Sequence, residues 1–282
     1  MEELMISQLV EQLFNQPADD IVKLEKGLTN NNYKVTINNK HYVLRVPLSE
    51  SEHIVNYKAE KKALECVASL NIDAKTIYYD EKIGIKVTVF IDNLLGFNEY
   101  HGADKFQRVG KLMRKLHHAH STIGIEFDPL KTYSTYASYV SEPMIKENTT
   151  LPYLEFIRQN RVVSTLCHND WVPDNIGFHS DHDVLLDYEY AGDNDPLFDV
   201  TSFLSENNIT DTTSRKQFLS SYFNGSISAT LEQTLLHWEA FHHILWCTWA
   251  QMMFNQRKKS IYLEIAKNKK QAFEFINNQL KR

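Results

Sequence analysis

Apolar residues recur at helical spacing over the first fifteen positions. Leu4, Leu9, Leu13 and Phe14 are candidate buried positions of a short amphipathic helix over residues 3–14, which Pro17 ends. Three strand-sized runs follow: Ile21 to Lys26, Asn32 to Ile37, and Lys40 to Val46. Asn38-Asn39 is a turn dipeptide between the last two, and Pro47 stops the third. Ser49 followed by Glu52 has the pattern of a capping box. The residues behind it predict a helix from about residue 50 to 70, carrying Tyr57, Leu64, Val67 and Leu70. Two more strands, near 75–79 and 85–91, flank a turn at Lys82 and Gly84. The first 95 residues therefore predict a small antiparallel sheet with a helix against it.

After Gly96 the pattern turns helical. Phe106, Val109, Met113 and Leu116 share one face of a helix over about 104–120. Residues 130–160, with Tyr133, Tyr136, Tyr139, Tyr153 and Phe156, read as two helices separated by Pro143 and Pro152. Residues 161–200 read as short strands and loops rich in polar side chains, and from 214 to the end the chain is helical again. The expected fold class is α+β and bilobal. Residues 1–91 form an antiparallel sheet lobe with one main helix, and residues 92–282 a larger, mostly helical lobe.

Composition narrows the function. With 43% hydrophobic and 23% charged residues the chain can build a core, which excludes a disordered protein. A net charge of −6 argues against a general nucleic-acid binder. Apolar runs such as Val87-Thr88-Val89-Phe90-Ile91 are strand-sized, so no membrane span is expected. The start, Met-Glu-Glu-Leu-Met-Ile, lacks the basic residues of a secretory signal. Cys66, Cys167 and Cys247 cannot form a disulfide framework, and a reducing cytoplasm is the simplest setting. The tail is locally basic, at Arg257-Lys258-Lys259, Lys267, Lys269-Lys270 and Lys281-Arg282. It reads as a solvated helix face or a surface for an anionic partner or membrane.

The candidate chemistry lies in Leu166-Cys167-His168-Asn169-Asp170-Trp171-Val172-Pro173-Asp174-Asn175 and in Val184-Leu185-Leu186-Asp187-Tyr188-Glu189-Tyr190. Singly, these Asn, Asp, Pro and Gly residues are turn formers. Together the spacing has a chemical use. A loop can aim Asp170 at a substrate hydroxyl while Asn175 offers an uncharged oxygen to a cation. A strand-end carboxylate, Asp187, can hold the same cation. Hard oxygen ligands of this kind suit Mg²⁺ beside phosphates, and the arrangement suits phosphoryl transfer from a nucleotide.

His168-Asn169-Asp170 with Asn175, Asp187-Tyr188-Glu189-Tyr190-Ala191, and Asn194-Asp195-Pro196-Leu197-Phe198-Asp199 resemble the protein-kinase-like phosphotransferases. Within them the chain is most similar to the choline/ethanolamine kinase family, over about residues 20–260. The resemblance implies an ATP- and Mg²⁺-dependent kinase acting on a small alcohol, as a monomer or homodimer with no nucleic-acid or integral membrane partner. It implies Asp170 as catalytic base, Asn175 and Asp187 as metal ligands, Glu189 at a second metal or its waters, and Asp199 and His168 as structural groups.

On the nucleotide side, Lys26-Gly27-Leu28-Thr29-Asn30-Asn31-Asn32-Tyr33 resembles the short phosphate loop of small-molecule kinases, with Gly27 for the turn and Thr29 and Asn30 for phosphate oxygens. Read locally, it is also a plain hairpin turn. Arg45 stands where protein kinases place a lysine, with Glu60 as its partner unless that helix residue is exposed. The resemblance implies that Thr88, Val89, Phe90 and Ile91 form the hinge whose backbone reads the adenine edge. For the acceptor, the resemblance places Tyr190, Glu206, Trp246 and Trp249 around a quaternary ammonium, which aromatic faces and a carboxylate attract. Both tryptophans also fit a core. Ethanolamine, thiamine and aminoglycoside kinases remain alternatives on the same fold. So does a pseudokinase scaffold, although Asp170, Asn175 and Asp187 are all present.

Overall fold

The computed structural model describes residues 2–24, 30–48 and 55–281. They form two compact units, Met1–Leu95 with Gly177–Tyr190, and Gly96–Ile176 with Ala191–Arg282. The fold is bilobal as expected, with a sheet-rich first unit and a mostly helical second. The sequence expectation drew one cut near residue 92, whereas the first unit also takes in a later segment.

The first unit begins with α1 (Glu2–Phe14). Its five-stranded sheet has the order β1-β2-β3-β5-β4. The strands are β1 (Asp20–Leu24), β2 (Asn30–Ile37), β3 (Lys40–Pro47), β4 (Thr76–Tyr79) and β5 (Lys86–Val89), with every pairing antiparallel. Asn38 and Asn39 have φ of 50° and 58°, and this left-handed pair matches the twist of the β2–β3 hairpin. Ile6 and Val10 of α1 are buried against Tyr33, Val35, Ile37, Leu44 and Val87. The expected burial of Leu4 is corrected: it is 65% exposed. Two positions at about 100° each carry Leu4 away from the side of the helix that Ile6 occupies.

Helix α2 (Tyr57–Val67) starts at Asn56, whose side chain accepts a 3.2 Å hydrogen bond from the Ala59 amide. The expected cap at Ser49 and Glu52 lies outside the described residues. Gly84 turns with φ of +72°, and a Cβ there would lie 2.4 Å from a Tyr57 ring carbon. This turn therefore requires glycine. The later segment of the unit contributes β8 (Ile176–Phe178) and β9 (Asp183–Leu185), in a small sheet of order β6-β8-β9 with β6 (Leu95–Gly96). A single turn at Tyr188–Tyr190 then packs on α2.

The second unit contains α3 (Lys105–His117), α4 (Pro129–Ala137), α5 (Glu147–Asn160) and the antiparallel pair β7 (Thr165–Cys167) and β10 (Gly192–Asn194). It continues with α6 (Pro196–Glu206), α7 (Thr212–Phe223), α8 (Ala229–Arg257) and α9 (Ser260–Leu280). Pro143 separates α4 from α5 as expected. Pro152 does not, for it lies inside α5. Near a helix start proline removes few backbone bonds, so the helix survives it. Residues 196–200, expected among short strands and loops, begin helix α6 instead. Asp195 caps it, accepting from the Leu197 amide at 2.9 Å, and Pro196 takes the first helical position.

Helix α8 is long and buried on almost every side. Ala240, Ile244, Cys247 and Ala250 pack against Ala266, Phe273 and Ile276 of α9 and Tyr153 of α5. Small side chains at Ala240, Ala250 and Ala266 let the helices approach closely. All three cysteines are free. Among the described residues, no helix is long and apolar enough to cross a membrane.

Candidate active site

The polar loop after β7 is fastened from beneath by one carboxylate. Asp199 of α6 accepts hydrogen bonds from the His168 amide at 2.8 Å, the Asn169 amide at 2.7 Å and His117 Nε2 at 3.0 Å. It is fully buried, which would raise its pKa, yet the bond and charge of His117 hold it below its ordinary value. This is the structural tie expected of Asp199. Ser202 Oγ accepts from the Trp171 amide at 3.2 Å, and Asn207 donates to the Trp171 carbonyl at 2.7 Å. Asn169 takes a left-handed φ of 65°. Its side-chain oxygen accepts from Asn194 at 2.9 Å. Such strain persists only where neighbours overdetermine it, and it concentrates at functional sites.

These fastenings present Asp170 half-buried at the loop's tip. Asn175 Nδ2 donates to the Asp170 carbonyl and to its Oδ2, each at 2.9 Å. Its amide nitrogen is thus committed, and its carbonyl oxygen is the end suited to a cation. His168 is fully buried, and its Nδ1 lies 3.3 Å from the Asp170 amide nitrogen that donates to it. A ring so enclosed is structural.

In the first unit, β9 runs into Asp187, whose φ is 64°. Arg45 Nη1 donates to Asp187 Oδ1 at 2.7 Å, and Nη2 donates to Glu60 Oε2 at 2.6 Å and to the Gly84 carbonyl at 3.2 Å. Lys86, opposite Arg45 in the sheet register, donates to Glu60 Oε1 at 3.0 Å. Tyr79 adds a 2.9 Å bond to Glu60 Oε2. Glu60 is therefore buried rather than exposed. Burial would raise its pKa, but Lys86 and Arg45 bring it down to about 2. Burial likewise works against the Arg45 cation, and Glu60 and Asp187 overcome it and raise its pKa.

Asn30 Nδ2 donates to Glu189 Oε2 at 2.9 Å. Burial, then the nearby Asp187, push the Glu189 carboxyl well above the ordinary carboxylate range. Half-buried Asp73 is raised too, chiefly by burial of its carboxyl and further by Glu60 and Asp187, with Lys86 opposing. Two cations, Arg45 and Lys86, thus stand among four carboxyls. The excess of hard oxygen donors fits a divalent cation such as Mg²⁺, which would offset their repulsion. Asp187 and Glu189 would hold it from this unit. Lys86 and Asp73 were missed in the sequence. Their pairing across distant elements left no signal in the sequence.

Thr88 and Val89 end β5, with Phe90 and Ile91 following. The Val89 amide donates to the Lys75 carbonyl at 2.9 Å and the Phe90 amide to the His41 carbonyl at 3.0 Å. Gly27 and Thr29 lie outside the described residues.

A family model described as the phosphotransferase enzyme family matches residues 20–238. The chain belongs to that family. Protein LicA of Haemophilus influenzae is 25% identical over 196 residues, 64% of this chain and 56% of that protein. The chain thus spans little more than half that relative's length. LicA of strain ATCC 51907 / DSM 11121 / KW20 / Rd is 25% identical over 195 residues, 64% of this chain and 71% of that protein. Among solved structures, choline kinase LicA from Streptococcus pneumoniae superposes with a TM-score of 0.78 at 21% identity, covering 98% of this chain and 99% of that one. A choline/ethanolamine kinase family protein from Mesorhizobium loti gives 0.78 at 19%, covering 93% and 88%. At these identities the likeness to solved structures establishes the fold.

The acceptor residues named from the sequence are divided between the units of this phosphotransferase. Tyr190, half-buried, ends the turn on α2 in the first unit. Glu206, Trp246 and Trp249 are in the second. Trp246 is buried, and its Nε1 donates to His242 Nδ1 at 3.3 Å. The two indoles meet edge-to-face, with centroids 5.9 Å apart. Trp249 also meets Tyr262 of α9 edge-to-face at 5.7 Å and packs against the α8–α9 core. Glu206 ends α6 and accepts a 2.7 Å bond from Lys269.

Proposed function

We propose that this phosphotransferase is an ATP- and Mg²⁺-dependent choline kinase that yields phosphocholine and ADP. The observation that carries the reaction type is the pair of bonds from Asn175 to Asp170, which fixes a half-buried carboxylate on an otherwise immobilised loop. Asp170 is oriented to accept the proton of the acceptor's hydroxyl as its oxygen attacks the γ-phosphorus. The bond from phosphorus to the β–γ bridging oxygen breaks, and ADP leaves with that electron pair. When bound, Mg²⁺ supplies charge neutralisation at the phosphate oxygens.

Around that step, each residue has one task. Asp187 and Glu189 would hold the metal from the first unit. Arg45, locked by Glu60, keeps Asp187 in place. Gly27, Thr29 and Asn30 serve the phosphates. The backbone of Thr88, Val89, Phe90 and Ile91 serves the adenine edge, although the Val89 and Phe90 amides are committed elsewhere. Glu206, Trp246 and Trp249 receive the acceptor's cationic head. An indole pair and a carboxylate in one unit support a methylated cation over a neutral alcohol. The reducing cytoplasm is the proposed setting.

An ADP-release assay with choline, ethanolamine, thiamine and an aminoglycoside tests this reading. Choline is expected to give the highest kcat/KM. Preference for another acceptor would reassign the substrate, and no ADP release with any would return the chain to a binding role.

A further inference from the structure

Glu206 is not a bare carboxylate. Lys269 of α9 donates to its Oε1 at 2.7 Å and to the Ser205 carbonyl at 3.4 Å, and both charged side chains are only 13% exposed. Other lysines of the same helix behave differently. Lys267 is exposed, and Lys270 meets Glu274 in a loose 3.7 Å surface pair. Surface pairs of that kind contribute little. Lys269 is turned inward, onto a carboxylate that water scarcely reaches.

No histidine of the neighbouring helix can share the role of counter-ion. His242 Nε2 donates to the Phe198 carbonyl at 2.8 Å while its Nδ1 accepts from Trp246, which defines the neutral Nε2–H tautomer. Burial, and secondarily the Lys269 charge, keep His243 neutral too, and its Nδ1 is buried without a partner. Among the described residues Glu206 forms no other ion pair.

We propose that Lys269 is a specificity-determining residue: a resident cation with which the acceptor's cationic head must compete for Glu206. This rests on the acceptor reading given above. A buried carboxylate neutralised by its own ammonium attracts an incoming cation less than a bare one does. The competition is unequal between acceptors. A primary ammonium can donate charge-assisted hydrogen bonds to Glu206 and so challenge Lys269 directly. A quaternary ammonium has no proton to donate and relies on aromatic faces and charge alone. Lys269 therefore handicaps choline more than ethanolamine.

The test uses the full chain and steady-state KM values for choline, ethanolamine and ATP in Lys269→Gln, Lys269→Arg and Glu206→Gln. Lys269→Gln keeps a donor for Glu206 but removes the charge. It is expected to lower the choline KM about tenfold, to raise the choline-to-ethanolamine ratio of kcat/KM, and to leave the ATP KM unchanged. Lys269→Arg can fork onto the carboxylate and is expected to raise the choline KM. Glu206→Gln is expected to raise KM for both amines. An unchanged or raised choline KM in Lys269→Gln, with Glu206→Gln still raising it, overturns the role of Lys269 and leaves the acceptor reading standing. An unchanged KM in Glu206→Gln, or turnover with neither amine, overturns both. If Lys269→Gln does not fold, Lys269→Arg decides: an unchanged or lowered choline KM sinks the proposal.

Discussion

Asn175 grips Asp170 at two points, donating from one nitrogen to the backbone carbonyl and to carboxylate Oδ2, both at 2.9 Å. The grip sets the direction of the carboxylate and of Asn175's own carbonyl oxygen together. Asp170→Asn should lower kcat by roughly 10²- to 10⁴-fold, the range of a general base, while Mg-nucleotide binding survives. Asp187→Asn should weaken both. Isothermal titration with a non-hydrolysable nucleotide separates them, and equal loss of binding in the two variants would refute the assignment.

Glu60 is shared by Arg45 and Lys86, so its loss leaves two buried cations short of a partner. Glu60→Gln should destabilise the protein by about 3–5 kcal/mol, as breaking buried pairs does. Lys86→Met should cost less, because Arg45 still balances Glu60. Urea unfolding of the two variants checks the order, and a reversed order would place the weight on Lys86 instead.

Through His242, acid should weaken the fold well above the range of ordinary carboxylates. Burial draws His242 down from 6.5 to about 3, against the opposing pull of its bond to Phe198. The folded state then binds fewer protons than the unfolded one. The stabilising contribution is full above pH 6.5 and is lost as pH falls toward 3, at about 1.4 kcal/mol per pH unit. Glu60 has the same sign over a lower window, from 4.5 to about 2. Glu189 and Asp73, raised by burial, act with the opposite sign over part of this window, so the readout is the difference between proteins: from pH 7 to 6 to 5 the melting temperature of His242→Gln should gain relative to the wild type. Parallel slopes would remove His242 from the account.

Trp246 and Trp249 should separate on substitution by leucine. Trp249 packs against Tyr262 and the α8–α9 core, so Trp249→Leu should cost about 1–3 kcal/mol of stability as well as acceptor affinity. Trp246→Leu should raise the choline KM roughly 5- to 30-fold, the worth of a desolvated cation–π face. The ATP KM should hold in both. Melting curves beside KM values for choline and ATP decide, and an unchanged choline KM in folded Trp246→Leu would exclude it from the acceptor site.

Periodicity made the sheet, α2 and α3 legible, because one face of each is buried and the other wet. It failed where burial is nearly complete or extremely local. Helix α8 buries almost every side, so two tryptophans three apart say little about what they face. Helix α6 was hidden by its polar start, although Asp195-Pro196 was a readable cap. In the site, the motif residues and the Arg45–Glu60 pair were legible in type and spacing. Lys86 on Glu60 and Lys269 on Glu206 were not, since charge pairing between distant elements leaves no periodic trace.

The first unit is interrupted in the chain, running through Leu95 and resuming at Gly177. During synthesis, β1 to β5 and α2 leave the ribosome long before Asp187 does. Until then Arg45 lacks one of its two carboxylate partners, and Glu60 pairs with both Arg45 and Lys86 beside Asp73. Loop closure across so many residues is slow compared with forming a hairpin. The nascent sheet must therefore wait, incompletely neutralised, while α3, α4, α5 and β7 emerge, and its last polar contacts set only after Tyr190 has been made. Vectorial folding of this protein is thus out of step with the order of its own sequence.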